Sequence, residues 1–170
     1  MTEKFRNSFR QKVDGKGRVS IPAKFCRVLE ANDPKYVDGL TAKLVLLFGD
    51  TRSAVVTGYS ADGIAKMEQV IERMPPGSRQ RAAMEYLLYN AAEEVDVDGS
   101  GRIVLPRKVR EKLGFTADGE AVFDGRGDRF QIRNATEHQD GTPAWVQDAL
   151  NELEPDQDFT AFLQDAWSEP

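Results

Sequence analysis

Val13-Asp14-Gly15-Lys16-Gly17-Arg18-Val19-Ser20-Ile21-Pro22-Ala23-Lys24-Phe25 returns 84 residues later as Val97-Asp98-Gly99-Ser100-Gly101-Arg102-Ile103-Val104-Leu105-Pro106-Arg107-Lys108-Val109. Val, Asp, both Gly, Arg, Pro and Lys recur in place, and the other apolar positions match in kind. Two copies at so long a spacing do not make a solenoid. They indicate one small unit duplicated within a single chain.

Each copy reads as a strand, a tight turn, a strand and the start of a helix. Phe9, Gln11 and Val13 alternate with Arg10 and Lys12, which is the period of a strand. Asp-Gly signals the turn, because Gly accepts a positive φ and the Asp carboxylate can bond nearby backbone N–H groups. Val19 and Ile21, like Ile103 and Leu105, resume the alternation. Pro22 and Pro106 then end the strand and suit the first helical position, where an N–H has no partner to lose.

Outward from the first copy, residues 22–31 read as a helix with Phe25, Val28 and Leu29 on its apolar stripe, stopped by Asn32-Asp33-Pro34. The run Leu44-Val45-Leu46-Leu47-Phe48 and the segment Ala54-Val55-Val56, joined through Gly49-Asp50, predict a second hairpin. Ile64, Met67, Val70 and Ile71 recur at helical spacing, and a second helix follows from Ser78 with Met84, Leu87 and Leu88 on one face. Both stripes read as core. The second copy occupies residues 93–113, with Gly114 as a helix C-cap. Glu120–Gly125 and Arg129–Ile132 form its second hairpin. Two further helices are expected within 134–153 and 155–167, on Trp145, Val146, Ala149 and Leu150 and then on Phe159, Phe162, Leu163 and Trp167. The division is thus 5–58 for the first unit, 59–92 for a helical connector, 93–134 for the second unit and 135–170 for an acidic helical extension.

The 170 residues carry a net charge of −5, unevenly spread. Residues 134–170 hold nine acids and no Lys or Arg, which leaves +4 on residues 1–133 once −9 is taken from −5. Residues 1–27 hold eight Lys or Arg against Glu3 and Asp14. A basic head with an acidic tail suits nucleic acid, although a charge run can also be a solvated face. No stretch is apolar enough to span a membrane, and no secretory signal is visible. The single Cys26 excludes an internal disulfide and suits a reducing cytoplasm.

Asp-Gly-x-Gly-Arg followed by Pro, present twice in this setting, resembles the MraZ family of bacterial transcriptional regulators, built from two tandem SpoVT-AbrB-type domains. The likeness covers roughly residues 5–135. It implies an α/β (α+β) fold of two swapped-hairpin β-barrel units with pseudo-two-fold symmetry. It also implies sequence-specific binding of double-stranded DNA and repression at the promoter of the division and cell-wall gene cluster. A homo-oligomeric ring, a cytoplasmic and nucleoid-associated location, no cofactor and no small-molecule substrate complete the expectation. The family's motif carries over to Asp14 and Arg18 and to Asp98 and Arg102.

The residues support that role in their own terms. Arg18 with Lys16, Arg10, Lys12 and Lys24 would make a compact basic hairpin surface, and a two-stranded ribbon fits the major groove. Arg can pair bidentately with guanine or with phosphate. Asp is an acceptor, so Asp14 and Asp98 are expected to brace the Arg or cap the turn. Glu93, Glu94, Asp96 and Ser100 weaken the second hairpin's attraction for phosphate, so the first should dominate. The alternative is that both Asp–Arg pairs are only structural, in a non-enzymatic protein–protein module that uses a related barrel. The tail either competes with phosphate for the basic hairpin or docks as a helical extension with its acids facing water.

Other chemistries fare worse. Asp96–Ile103 resembles the start of an EF-hand loop, but Arg107 stands where the bidentate Glu should be, so no metal is expected. His138 is the lone histidine, and Cys26 has no partner nearby in sequence and reads as a core thiol. A hydrolase pairing Asp14 with Asp98 conflicts with the Arg four residues after each Asp. No catalytic residue is assigned, and the chain is not expected to be an enzyme.

Overall fold

The structure is a computed structural model that describes residues 3–137 and 140–168. It forms two compact units, Met1–His138 and Gln139–Pro170, each treated by itself below. In the first, β1 (Ser8–Val13) and β2 (Arg18–Ser20) lead to α1 (Ala23–Ala31), then β3 (Ala42–Leu47) and β4 (Val56–Ser60). The connector is α2 (Ala61–Glu72) and α3 (Arg79–Glu85), the latter running into a π-helical turn at Tyr86–Asn90. The second copy gives β5 (Ala92–Val97), β6 (Arg102–Val104), α4 (Arg107–Leu113), β7 (Gly119–Gly125) and β8 (Phe130–Asn134).

These eight strands make one antiparallel sheet in the order β5-β3-β4-β8-β7-β1-β2-β6. Its two end strands, β5 and β6, are consecutive in the chain and joined by the second turn, where Asp98 N–H donates to Arg102 O at 2.9 Å. The sheet therefore nearly closes into a barrel, which leaves little unpaired edge. β2 pairs with β6 so that Val19 faces Ile103, with Arg18 opposite Val104 and Ser20 opposite Arg102. These positions keep the offset of 84, so the pseudo-two-fold passes between Val19 and Ile103.

Neither copy closes a barrel alone. β1 pairs along its whole length with β7 of the second copy, and β5 pairs with β3 of the first. This is the interleaved arrangement that the family resemblance implies. Phe5, Phe25, Phe123 and Phe130 are buried within it, with ring centroids 5.0 to 5.9 Å apart where they meet. Helix α1 buries Phe25, Val28 and Leu29, as its spacing predicts. Helix α4 buries Val109 and Leu113 and ends at Gly114, which is left-handed with φ 76°.

One local expectation shifts. The first copy's second hairpin resumes at Val56, not Ala54, and runs on to Ser60. Residues 50–55 bond among themselves instead: Asp50 accepts from the Arg52 N–H and Ser53 Oγ from the Val55 N–H, both at 3.1 Å. Helix α2 forms over the apolar spacing of Ile64 to Ile71 and is capped by Ser60, whose Oγ accepts the Gly63 N–H at 3.1 Å. Of the two connector stripes, Ile71 and Leu88 are buried, Ile64, Met67, Met84 and Leu87 are half-buried, and Val70 is exposed. Tyr86 and Tyr89, outside those stripes, are exposed as well.

The extension is helical in short pieces: α5 (Ala144–Asn151), a 3-10 turn at Phe159–Leu163 and α6 (Gln164–Ser168). Asp158 caps the 3-10 turn, accepting the Thr160 N–H at 2.8 Å. The first expected helix begins only after Pro143. Trp145, Phe159, Phe162 and Trp167 are exposed. His138 lies outside the described residues. Among the described residues no helix is long and apolar enough to cross a membrane.

Candidate nucleic-acid interface

The first turn is built around Asp14. Its Oδ1 accepts the backbone N–H of Lys16 and of Arg18, both at 2.9 Å, and its Oδ2 accepts Arg18 Nε at 2.6 Å. The Gly17 N–H closes the turn on Asp14 O at 2.9 Å. The left-handed residue is Gly17, with φ 79°, and in the second turn Gly101, with φ 80°. It is thus the second glycine of each motif, not the one after Asp, that needs the absent side chain. The Arg18 backbone N–H is the chief cause holding the Asp14 carboxyl below its ordinary value, with help from the guanidinium.

The second turn repeats the backbone pattern but, among the described residues, not the ion pair. Asp98 Oδ1 accepts the Ser100 N–H and the Arg102 N–H at 2.9 Å and Ser100 Oγ at 2.8 Å. These bonds, the Arg102 N–H first, hold the Asp98 carboxyl low as well. Asp14 therefore both caps its turn and braces its Arg, whereas Asp98 caps. Both carboxyls are pushed toward ionisation, which is the wrong direction for the proton donor of an acid–base dyad. Asp96 lies in β5 opposite Lys43, so residues 96–107 form a strand, a turn and a strand and not a calcium loop.

Among the described residues Arg18 bonds Asp14 through Nε alone, and its side chain remains 55% exposed. Both terminal nitrogens stay available for an incoming acceptor pair. Arg10 and Lys12 share the outward face of β1, and Arg18, Ser20, Arg102 and Val104 that of β2 and β6. At the five paired positions from 10 to 18 the first hairpin carries four cations and one acid. The same positions from 94 to 102 carry one cation and three acids.

The fold adds acids that the hairpin's own sequence does not reveal. Strand β7 lies against β1 with Glu120 opposite Lys12, and Glu120 pairs with Arg10 at 2.7 Å. Lys12, Asp14, Arg18, Ser20, Arg102, Asp118 and Glu120 line one open groove of about 690 Å³. Both motif arginines thus face a shared space. Lys16 is exposed beside it on the turn. Lys24 is placed elsewhere, on α1 in a separate groove with Lys4, Arg6 and Arg27. Cys26 is half-buried against the core, and burial is the main cause pushing its thiol up to about 11.

A family model described as "MraZ protein, putative antitoxin-like" matches residues 88–144. A protein of Ruegeria pomeroyi named "Transcriptional regulator MraZ" is 37% identical over 166 residues, 98% of each chain. One of the same name from Ruegeria sp. (strain TM1040) is 38% identical over the same span and coverage. Another, from Cereibacter sphaeroides (strain ATCC 17025 / ATH 2.4.3), is 45% identical over 140 residues, 79% of this chain and 82% of its own.

Proposed function

The chain belongs to the MraZ family of transcriptional regulators, and we propose that it acts by binding double-stranded DNA sequence-specifically through its first hairpin. The family is one of regulators, not of enzymes. The observation that carries the reading is the clamped Arg18. Its Nε is held by Asp14 at 2.6 Å, while the rest of the guanidinium meets no partner among the described residues. Holding the side chain beforehand lowers the ordering cost of a bidentate contact to guanine or phosphate. Lys16, Lys12 and Arg10 add sequence-independent attraction for the backbone, with Arg10 partly offset by Glu120. Asp14 serves as the brace, Arg102 and Asp98 as the weaker second contact, and Lys24 as an outlying cation.

The finer role is repression of the division and cell-wall gene cluster promoter, from the cytoplasm at the nucleoid, by a homo-oligomeric ring. The exposed Val70, Tyr86 and Tyr89 support assembly, since large apolar side chains gathered on one connector suit a subunit contact. Repeated hairpins on one duplex would raise each other's effective concentration. Light scattering should then give a mass several times 19.0 kDa. The deciding experiment is a gel shift on the protein's own upstream region at two salt concentrations. Binding that falls steeply with salt supports the reading. No shift at low salt refutes it and leaves a protein–protein module.

A further inference from the structure

The two turns are held from across the pseudo-two-fold. Gly17 O accepts the Leu105 N–H at 2.8 Å, and Gly101 O accepts the Ile21 N–H at 2.7 Å. Each turn is therefore tied to the strand end that feeds the other copy's helix. Side chains repeat the exchange unequally. A Cβ on Gly17 would stand 2.5 Å from Arg110 Cδ, and one on Gly101 would stand 3.3 Å from Cys26 Sγ. Arg110 and Cys26 are 84 residues apart, so they are the same helix position in the two copies. The longer side chain lies over Gly17, which is buried; Gly101, beside the thiol, is only half-buried. Next to Gly101 a groove of about 610 Å³ opens between Cys26, Tyr36, Leu40 and Ser100. Arg110 Nε is buried and finds no acceptor among the described residues. A hydrogen bond of that nitrogen therefore does not hold the side chain in place; the side chain packs over Gly17, with Cδ nearest and Nε and Nη1 beyond it.

We propose that Arg110 is the positioning residue of the first turn, and that its stem, packed on Gly17, holds Lys16 and Arg18 in the conformation that meets DNA. This rests on the DNA-binding reading above. A residue of the second copy then sets the quality of the first copy's contact, and the Cys at the equivalent place leaves the second turn with less support.

The test uses the full chain with Arg110→Ala and Arg110→Met. Amide hydrogen exchange is measured at Lys16, Gly17 and Arg18, and affinity is measured for the upstream duplex and for a random duplex. Arg110→Ala should speed exchange at those three amides more than at Ser100, Gly101 and Arg102. It should weaken upstream binding about tenfold, because two side chains must now be ordered on binding, and leave random binding nearly unchanged. Arg110→Met, which keeps a long stem without the charge, should restore most of both. Parent-like exchange and affinity in Arg110→Ala would overturn the proposal. So would an Arg110→Met no better than Arg110→Ala, since charge and not packing would then be the cause. A parent protein that fails to bind DNA would defeat the DNA reading alone, with the exchange data still deciding whether Arg110 holds the turn.

Discussion

Replacing Arg18 by Ala should cost specific DNA affinity without unfolding the protein. The side chain is 55% exposed and among the described residues bonds only to Asp14, so its loss opens no cavity. On DNA the same side chain offers both terminal nitrogens, and one bidentate pair is worth about 1–3 kcal/mol of discrimination. That corresponds to a weakening of about 5- to 150-fold for each subunit bound. If several subunits sit on one duplex, the losses multiply, so this range is a lower bound. One cation fewer should also flatten the dependence of log affinity on log salt by about 0.9 for each phosphate no longer neutralised. Arg18→Lys separates the two effects. It keeps the charge, and hence the slope, but one ammonium cannot hold Asp14 and also fork onto an acceptor pair, so discrimination falls. Arg102→Ala should do less, because Glu94 and Asp96 stand where the first hairpin has Arg10 and Lys12. Fluorescence anisotropy on the upstream duplex and a shuffled duplex, across a salt series, reads all three. An Arg18→Ala protein with parental affinity and parental slope would refute the reasoning.

Three further outcomes are expected. The carboxyls of Asp14 and Asp98 sit below their ordinary value of 3.8 in the folded chain, so their stabilisation is complete above that pH and is lost as pH falls through the lower native values; Asp14→Asn should flatten the acid limb of the stability curve, and an unchanged limb would contradict this. The Cys26 thiol, raised to about 11, should be alkylated slowly at neutral pH in the native protein and quickly once unfolded; equal rates would show that the thiol is not protected. Gly58→Ala places a Cβ 2.5 to 2.9 Å from the buried Phe130 ring and should destabilise by about 1–3 kcal/mol in urea unfolding, with Phe130→Leu recovering part of the loss.

Much of the chain is legible because its signals are local. Asp14, the glycines of the motif and Pro22 specify a turn and a stop through their own backbone preferences. Phe25, Val28 and Leu29 specify the face of α1 through spacing alone. The 84-residue repeat by itself announces two equivalent halves. It even places Cys26 and Arg110 at one position, although nothing local says what either touches. The connector is legible only in part. Val70 shares the apolar stripe of Ile71 yet is exposed, because burial depends on a surface to pack against, and that surface belongs to other elements.

What only the tertiary structure decided is which copy meets which. Strand β1 pairs with β7, so Glu120 arrives beside Arg10 and Lys12 from 110 residues away in the chain. Lys24 follows Arg18 by six residues yet lies in another groove, because Pro22 turns the chain into α1 between them. The stem of Arg110 reaches the first turn because β2 and β6 pair about the pseudo-two-fold. Local preference is encoded residue by residue and can be read that way. The charge around Arg18 is a sum over neighbours brought together by strand pairing, and that sum exists only once the sheet has closed.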